Sequence, residues 1–345
     1  MSVLKRYLLL RRSDALGMGL LVVLVLVLPH FAGNDYYLNL MILALLYAGL
    51  ASSWNIVGGI AGQFSLGHTA FFGIGAYTST LLFNYAGVTP WLGMLAGGVI
   101  SVVFAWLIAY PAFRMRGVFF GMTTLAFGET VRILLIYSRK HVELPYGLSI
   151  NFKPSFFNMV FEDRWGYAYL AGGYLFVVLA VAMVLSRGYT GFYLRALRDN
   201  EDAAEAAGVP VRAYKLLAFV VSAFLTSIGG TLMAQYVMYI EPGTVFTISF
   251  SVDLALMTIL GGVGTLAGPV IGALIALPLR EFLVEAFGNA GAGTHQLVYG
   301  LLLVVIVVLL PQGLKGGFTS LRLRLASQRK PAAQPDASLP PGGSR

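Results

Sequence analysis

Long, nearly charge-free apolar runs separated by short polar loops are the feature that most limits how this chain of 345 residues can fold. The runs are continuous, whereas the strands of a membrane barrel alternate apolar and polar residues. Lys, Arg, Asp and Glu supply only 11% of the residues and the mean hydropathy is +0.78, so the chain is far more apolar than a soluble domain. The sequence therefore predicts an all-α, polytopic membrane protein.

The lengths of the apolar runs set the number of helices. At about 20 residues per span, they predict about ten transmembrane helices, over residues 16–32, 38–57, 67–85, 91–110, 117–137, 167–187, 213–238, 245–261, 264–286 and 296–311. Residues 16–315 then form one membrane domain, and residues 1–15 precede it. The tail, 316–345, is rich in Pro, Gly, Ala and Ser, cannot bury a core, and is predicted to be largely disordered.

Basic residues divide unequally between the two sides of this topology. Most of the 23 Lys and Arg residues fall in the termini and in the loops that share their side. The long opposite loop holds only Arg139, Lys140, Lys153 and Arg164. By the positive-inside rule, both termini are predicted to be cytoplasmic. The net charge of +8 is thereby explained by orientation and requires no nucleic acid partner.

Two glycine-rich segments interrupt the apolar pattern at related places. Residues 58–77 and 261–278 each open with a Gly pair and then resume an apolar helix, which resembles a weak internal repeat. Unwound backbone in a membrane must line a cavity or be buried in protein, so paired broken helices indicate a translocation pathway. Close helix packing is the alternative for any single glycine. The candidate pathway residues here are Gly58, Gly59, Gly62, Gln63, Ser65, His68, Gly261, Gly262 and Gly264.

Ionisable residues inside the predicted spans are further candidates, because a charge at membrane depth is costly and needs a partner or water. Glu129 and Arg132 lie three residues apart in the fifth span, and we expect them to pair with each other or with a neighbouring helix. Glu129 is also a candidate pathway residue, and Asp253 lies in the eighth span. For His68, the alternative is a hydrogen-bonded residue that ties the first break to a neighbour. The sequence contains no continuous relay of such groups.

Signatures of catalysis and nucleotide binding are missing from the sequence. The four histidines form no H-E-x-x-H pair, and there is no G-x-S-x-G elbow. No lysine follows a glycine, so the chain has no phosphate-binding loop. With no cysteine, thiolate metal sites are excluded as well. The chain is predicted not to be an enzyme and to bind no cofactor, and any ATP it depends on must be hydrolysed by another polypeptide.

The segment from Arg195 to Phe219 is acidic and rich in alanine, and it lies between apolar runs on the predicted cytoplasmic side. Asn200 is predicted to cap a helix of about two turns with an acidic first turn, and Gly208 and Pro210 to end it. Its alanines allow close approach to a soluble partner, although a solvated surface helix has the same pattern. Within a coupling region at 188–212, the candidate contacts are Glu201, Glu205, Ala206, Ala207 and Gly208.

Several stretches resemble the M-type permease subunits of ATP-binding-cassette importers for branched-chain amino acids. They are RALRDNEDAAEAAGVPVRAYKLLAFVVSAFLTSIGG, SWNIVGGIAGQFSLGHTAFFGIGAYTSTLL, TLAFGETVRILL, SVDLALMTILGGVGTLAGPVIGALI and LLLVVIVVLLPQGL. They follow the family's order across roughly residues 38–315. In that family, the positions of Glu205, Ala206, Ala207 and Gly208 belong to a coupling motif that would lie in a cleft of an ATPase.

The resemblance implies a heteromeric importer in a bacterial inner membrane. This chain would form the pathway for leucine, isoleucine and valine beside a second homologous permease. Two cytoplasmic ATPase subunits would use ATP, and a periplasmic substrate-binding protein would deliver the cargo. Related importers carry urea, amides or other carboxylates, which remain alternatives. A secondary transporter or channel would explain the broken helices without ATP, and a membrane-embedded enzyme would need a clustered site.

Overall fold

The computed structural model describes residues 34–141, 145–287 and 293–309. The predicted N-terminal segment, the first predicted span and the tail lie outside these residues. The helices are α1 (Asp35–Asn55), α2 (His68–Ala86), α3 (Pro90–Ala112), α4 (Val118–His141), α5 (Arg164–Ser186), α6 (Gly188–Asp199), α7 (Glu201–Ala206), α8 (Val211–Val237), α9 (Pro242–Val245), α10 (Ile248–Gly261), α11 (Gly268–Phe287) and α12 (Thr294–Leu309). Strands β1 (Leu148–Ser149) and β2 (Tyr239–Ile240) form a short antiparallel ladder.

Six helical segments of the described residues are long and apolar enough to cross a bilayer: Asp35–Ile60, Pro90–Ala112, Val118–Arg139, Arg164–Ser186, Val211–Val237 and Pro242–Gly261. The predicted all-α, multi-pass membrane protein is therefore confirmed. Helices α2, α11 and α12 coincide with further predicted spans but are not among these six. The total of ten spans and the cytoplasmic position of the termini remain predictions.

Local signals explain where several helices begin and end. Asn34 caps α1, because its side chain accepts a hydrogen bond from the Tyr37 N–H at 3.1 Å. The turn between α2 and α3 combines Gly87, which takes φ +65°, with Thr89, whose hydroxyl caps α3 ahead of Pro90. These residues reverse the chain within three positions.

Small residues let the central helices approach closely. Helix α8 packs against both α2 and α3, while α1 packs mainly against α5 and α11. A Cβ added to Gly97 of α3 would lie 3.0 Å from the Cα of Gly75 in α2, so the two backbones meet directly. The apolar stretch of α1 is 83% buried inside the chain, whereas that of α4 is only 28% buried. One side of α4 therefore lies at the periphery of the bundle.

Contacts between loops define two ends of the bundle. At the α7 end, Arg116 of the α3–α4 loop pairs with Asp202 of α7 at 2.6 Å. At the opposite, ladder end, Asn84 Nδ2 donates to the carbonyl of Ser149 at 2.8 Å, and Ile150 N–H donates to the Met238 carbonyl at 2.9 Å. The ladder thereby joins the α4–α5 loop to the end of α8.

Candidate functional site

The two glycine-rich breaks, which are about 200 residues apart in the chain, meet at the α7 end. After α1 the backbone widens into a π-turn, Ile56–Ile60, and α2 begins only at His68; the second break follows α10. The Asn55 amide joins them, since its Oδ1 accepts from the Gly264 N–H at 2.9 Å and its Nδ2 donates to the Thr265 carbonyl at 3.0 Å. A Cβ on Gly59 would come within 2.5 Å of the Gly264 nitrogen. Only glycine allows this approach.

Both breaks are junctions between successive helices. Gly58 and Gly59 belong to the π-turn that ends α1, and Gly261 is the last residue of α10. Gly62, Gly262 and Gly264 then take positive φ angles of 70°, 128° and 73°, which favour glycine. The sequence pattern suggested unwinding within the membrane, whereas the structure places the reversals at one end of the bundle. Their role in a pathway stays a prediction.

Arg198, in the last turn of α6, lies against both breaks. Its Nη1 donates to the carbonyl of Gly59 at 3.4 Å, and its stem covers Gly62, where an added Cβ would lie 2.5 Å from the Arg198 Cγ. An added Cβ on Gly264 would likewise meet the guanidinium at 2.5 Å. Sequence reasoning missed this residue, although a basic residue in the last turn of an amphipathic helix was a visible signal.

His68 belongs to a buried hydrogen-bond cluster that fastens the first break. Its Nε2 lies 2.8 Å from the Ser222 hydroxyl of α8, which donates to the carbonyl of Ser53 at 2.6 Å. The single hydroxyl proton of Ser222 is thereby used, so Nε2 carries the proton and Nδ1 accepts from Ser65 Oγ at 3.1 Å. Trp54 Nε1 adds a bond to the Ser65 carbonyl at 2.7 Å. This geometry favours the tying role of His68 and Ser65.

The remaining polar pathway candidates differ in exposure. Gln63 is buried, and its N–H donates to the Val57 carbonyl at 2.9 Å across the π-turn. Glu129 pairs with Arg132 as predicted, with the guanidinium Nε 3.0 Å from both carboxylate oxygens. Each of these two side chains is one-third exposed on α4. The pair is thus satisfied within one helix and remains accessible to a further group.

The predicted two-turn helix is α7. Asn200 caps it by accepting from the Ala203 N–H at 3.0 Å, and Gly208, with φ +84°, ends it. Ala204 is the buried residue of this helix. The remaining faces of α7 and the residues that follow point outward, including Glu205, Ala206, Ala207 and Gly208. These candidate contacts therefore form one accessible surface.

Glu201, the remaining coupling candidate, is turned toward the protein's own chain. Its carboxylate accepts from Lys215 Nζ of α8 at 2.6 Å, and Lys215 is only 2% exposed. Arg116 lies 3.9 Å from the same carboxylate oxygen. Two cations on different elements hold the first turn of α7, so α7 is docked on the start of α8.

These features define a class: a helical multi-pass membrane protein with a short, accessible helix anchored to the junctions of its spans. The family model described as "Branched-chain amino acid transport system / permease component" matches residues 36–307. The chain belongs to this family of transport permeases, which are not enzymes, and the predicted resemblance is confirmed.

Relatives agree with this assignment. The chain is 30% identical over 318 residues to the high-affinity branched-chain amino acid transport system permease protein LivM of Escherichia coli, covering 85% of this chain and 73% of the relative. LivM of Salmonella typhimurium is 31% identical over 79% of this chain and 68% of its own. The permease LivH of Escherichia coli is 27% identical over 78% of this chain and 91% of its own.

Proposed function

We propose that this chain is a permease subunit of an ATP-binding-cassette importer for leucine, isoleucine and valine in a bacterial inner membrane. A second homologous permease completes the pathway, two separate ATPase subunits supply the energy of ATP, and a periplasmic binding protein delivers the amino acid. The similarity to both LivM and LivH supports a pair of related permeases. The chain itself contributes binding surfaces and motion, not chemistry.

The contact of Arg198 with both glycine-rich breaks is the observation that carries the coupling part of this proposal. Arg198 is the second-to-last residue of α6, and α7 begins three residues later with Asn200 as its cap. A displacement of α7 by an ATPase is therefore transmitted to Gly59 and Gly264 through backbone and one side chain. Gly59 lies in the π-turn after α1, and Gly264 precedes α11, so this displacement moves the ends of both helices together. Such a rigid-body movement is one way to alternate access to a pathway.

Docking of the ATPase uses the accessible surface of Glu205, Ala206, Ala207 and Gly208. Three of these residues have little or no side chain, so a cleft can close on the backbone of α7. Glu201 contributes by holding α7 against Lys215, not by touching the partner. Glu129, the Gly-rich residues, Gln63, Ser65 and His68 are proposed to shape or gate the pathway.

The test is ATP-driven leucine uptake by the complete complex in proteoliposomes. Glu205→Lys and Gly208→Trp are expected to abolish uptake, because both obstruct the docking surface. Gly87→Trp is a matched control, since Gly87 also has positive φ with no neighbour within 4 Å yet lies at the ladder end, outside the coupling region. Glu162→Lys, an exposed acid at the ladder end, controls for charge reversal. Unchanged uptake in both docking variants sinks the coupling assignment, and uptake without ATP favours a secondary transporter.

The identity of the cargo is tested separately. A ligand screen of the cognate binding protein distinguishes branched-chain amino acids from urea, amides or other carboxylates. Tight binding of leucine, isoleucine and valine supports the proposal, whereas binding of urea or an amide alone reassigns the substrate and leaves the importer class intact.

A further inference from the structure

A cavity of about 300 Å³ opens near the ladder end, away from the α7 end. It lies between α1, α2, α8 and α11, with β2 and α9 at its rim. Val237, Tyr239 and Thr244 line it and are solvent-exposed, so they mark its mouth. Its volume is at the lower end of the range for sites that enclose small molecules.

The walls of the cavity are largely apolar. Leu43 of α1, Phe72 of α2, Met233 of α8 and Leu277 of α11 face one another across it. Such a lining favours an aliphatic side chain, and the flexible Met233 can adapt to branched shapes of different length.

Opposite charges lie beside this apolar wall. Arg280 and Glu281, neighbours on α11, both line the cavity, and so does the phenol-bearing Tyr47 of α1. The guanidinium of Arg280 lies 3.8 Å from Asp253 of α10 and also contacts the Tyr47 hydroxyl. A guanidinium has five N–H donors, so these two partners leave further donors for a carboxylate. Arg280 lies twelve residues into α11, roughly 18 Å along its axis. Ionisable groups inside a membrane protein are costly, and they pair with one another or line a water-filled or substrate pathway.

We propose that this cavity is a binding site for the free zwitterion of a branched-chain amino acid on its way into the pathway. Arg280 binds the α-carboxylate, Glu281 binds the α-ammonium, and the aliphatic side chain packs among Leu43, Phe72 and Met233. The inference rests on the proposed function and adds to it a substrate site within one permease chain. The mouth at the ladder end faces the side opposite the ATPase surface, where a delivered amino acid arrives.

Equilibrium binding of tritiated leucine to the complete transporter in lipid nanodiscs, without ATP and without the binding protein, tests this site. Arg280→Gln is expected to weaken leucine binding at this cavity by about tenfold or more, because a charge-assisted hydrogen bond is lost. Glu281→Gln weakens it in the same direction. Val237→Phe, a change at the exposed rim, blocks entry without altering the buried wall.

Matched controls separate the site from general damage. Glu285→Gln neutralises the same residue type one helical turn beyond Glu281, and Arg164→Gln removes an exposed arginine at the ladder end; both should stay within twofold of the unaltered complex. Valine and isoleucine should displace leucine, whereas 4-methylpentanoate, which lacks the ammonium, and 3-methylbutylamine, which lacks the carboxylate, should not. Single-peak elution and ATPase activity stimulated by the binding protein establish that each variant is assembled.

Several outcomes overturn the proposal. If Arg280→Gln and Val237→Phe both bind leucine as tightly as the unaltered complex does, the bound leucine lies elsewhere. If 4-methylpentanoate or 3-methylbutylamine alone displaces leucine, the cavity recognises only the aliphatic chain, as a site for a lipid chain would. Absent ATP-driven leucine uptake by the unaltered complex counts against the proposed function, whereas normal uptake without cavity-dependent binding removes only this site.

Discussion

The guanidinium of Arg198 donates to the carbonyl oxygen of Gly59 across 3.4 Å, joining α6 to the end of α1. These residues are 139 positions apart in the chain. The same side chain also covers Gly62 and Gly264, so a single arginine contacts both reversals of the backbone.

Replacing Arg198 with alanine is expected to uncouple transport from ATP use. ATP hydrolysis by the partner subunits should continue, because the outer surface of α7 is intact, while leucine uptake falls roughly tenfold, within the usual range of coupling energies. Both are measured on the same proteoliposomes. Arg195→Ala is the control, since Arg195 of the same helix contacts the Ser186 carbonyl and not the breaks. Equal ratios of uptake to hydrolysis in the two variants would contradict the role of Arg198.

The close approach of the two breaks predicts a sharp cost for one methyl group. Gly59→Ala should destabilise the protein by about 1–3 kcal/mol, because the new Cβ meets the Gly264 nitrogen and the Asn55 side chain. Thermal unfolding of the purified protein in detergent measures this. Gly173→Ala in α5, where nothing lies within 4 Å, should be neutral or slightly stabilising. A melting temperature for Gly59→Ala as high as that of Gly173→Ala would rule out tight packing of the breaks.

Glu201 is expected to be the acidic residue of α7 that stability depends on. Glu201→Gln leaves Lys215 buried with an uncompensated charge and should cost about 3–5 kcal/mol. Glu205→Gln, one turn along on the exposed side, should change stability by less than about 0.5 kcal/mol. Proteolysis of the loop around α7 in native membranes gives an independent reading, with faster cutting expected only in Glu201→Gln. Similar behaviour of both variants would mean that α7 is not held by this ion pair.

The Glu129–Arg132 pair predicts that neutralising one of its residues lowers the melting temperature more than neutralising both. Glu129→Gln strands a guanidinium in the middle of α4, whereas Glu129→Gln with Arg132→Gln leaves two uncharged amides. The double variant should therefore recover most of the melting temperature lost in the single one. If the double variant is the less stable, each charge has a separate partner in the assembled complex.

Helix α7 was predictable because the signals that specify it are local in the sequence. The Asn200 cap, the acidic first turn and the terminating Gly208 all lie within nine residues, so one window of sequence contains the whole helix. The pairing of Glu129 with Arg132 was likewise visible as a three-residue spacing. Helix α6 was missed although Gly191, Leu194 and Leu197 carry the spacing of a buried face.

The meeting of the breaks and the β1–β2 ladder lay beyond what the sequence pattern could indicate. Asn55 and Gly264 are 209 residues apart, and nothing in either glycine-rich segment specifies the other as its neighbour. Strands of two residues are too short to show an alternating pattern. Both features arise from how the long helices assemble, which depends on packing of many small residues at once.

Hydrogen exchange at the β1–β2 ladder can report on how these helices stay assembled. Two residues per strand cannot hold a sheet in water, so the ladder exists only while α4, α5 and α8 keep its two sides together. The Ile150 amide, which donates to Met238 across 2.9 Å, should therefore exchange its hydrogen for deuterium only when the ladder end of the bundle opens. Slower exchange after addition of the binding protein, or faster exchange during turnover, would show how much this end of the bundle opens in each state.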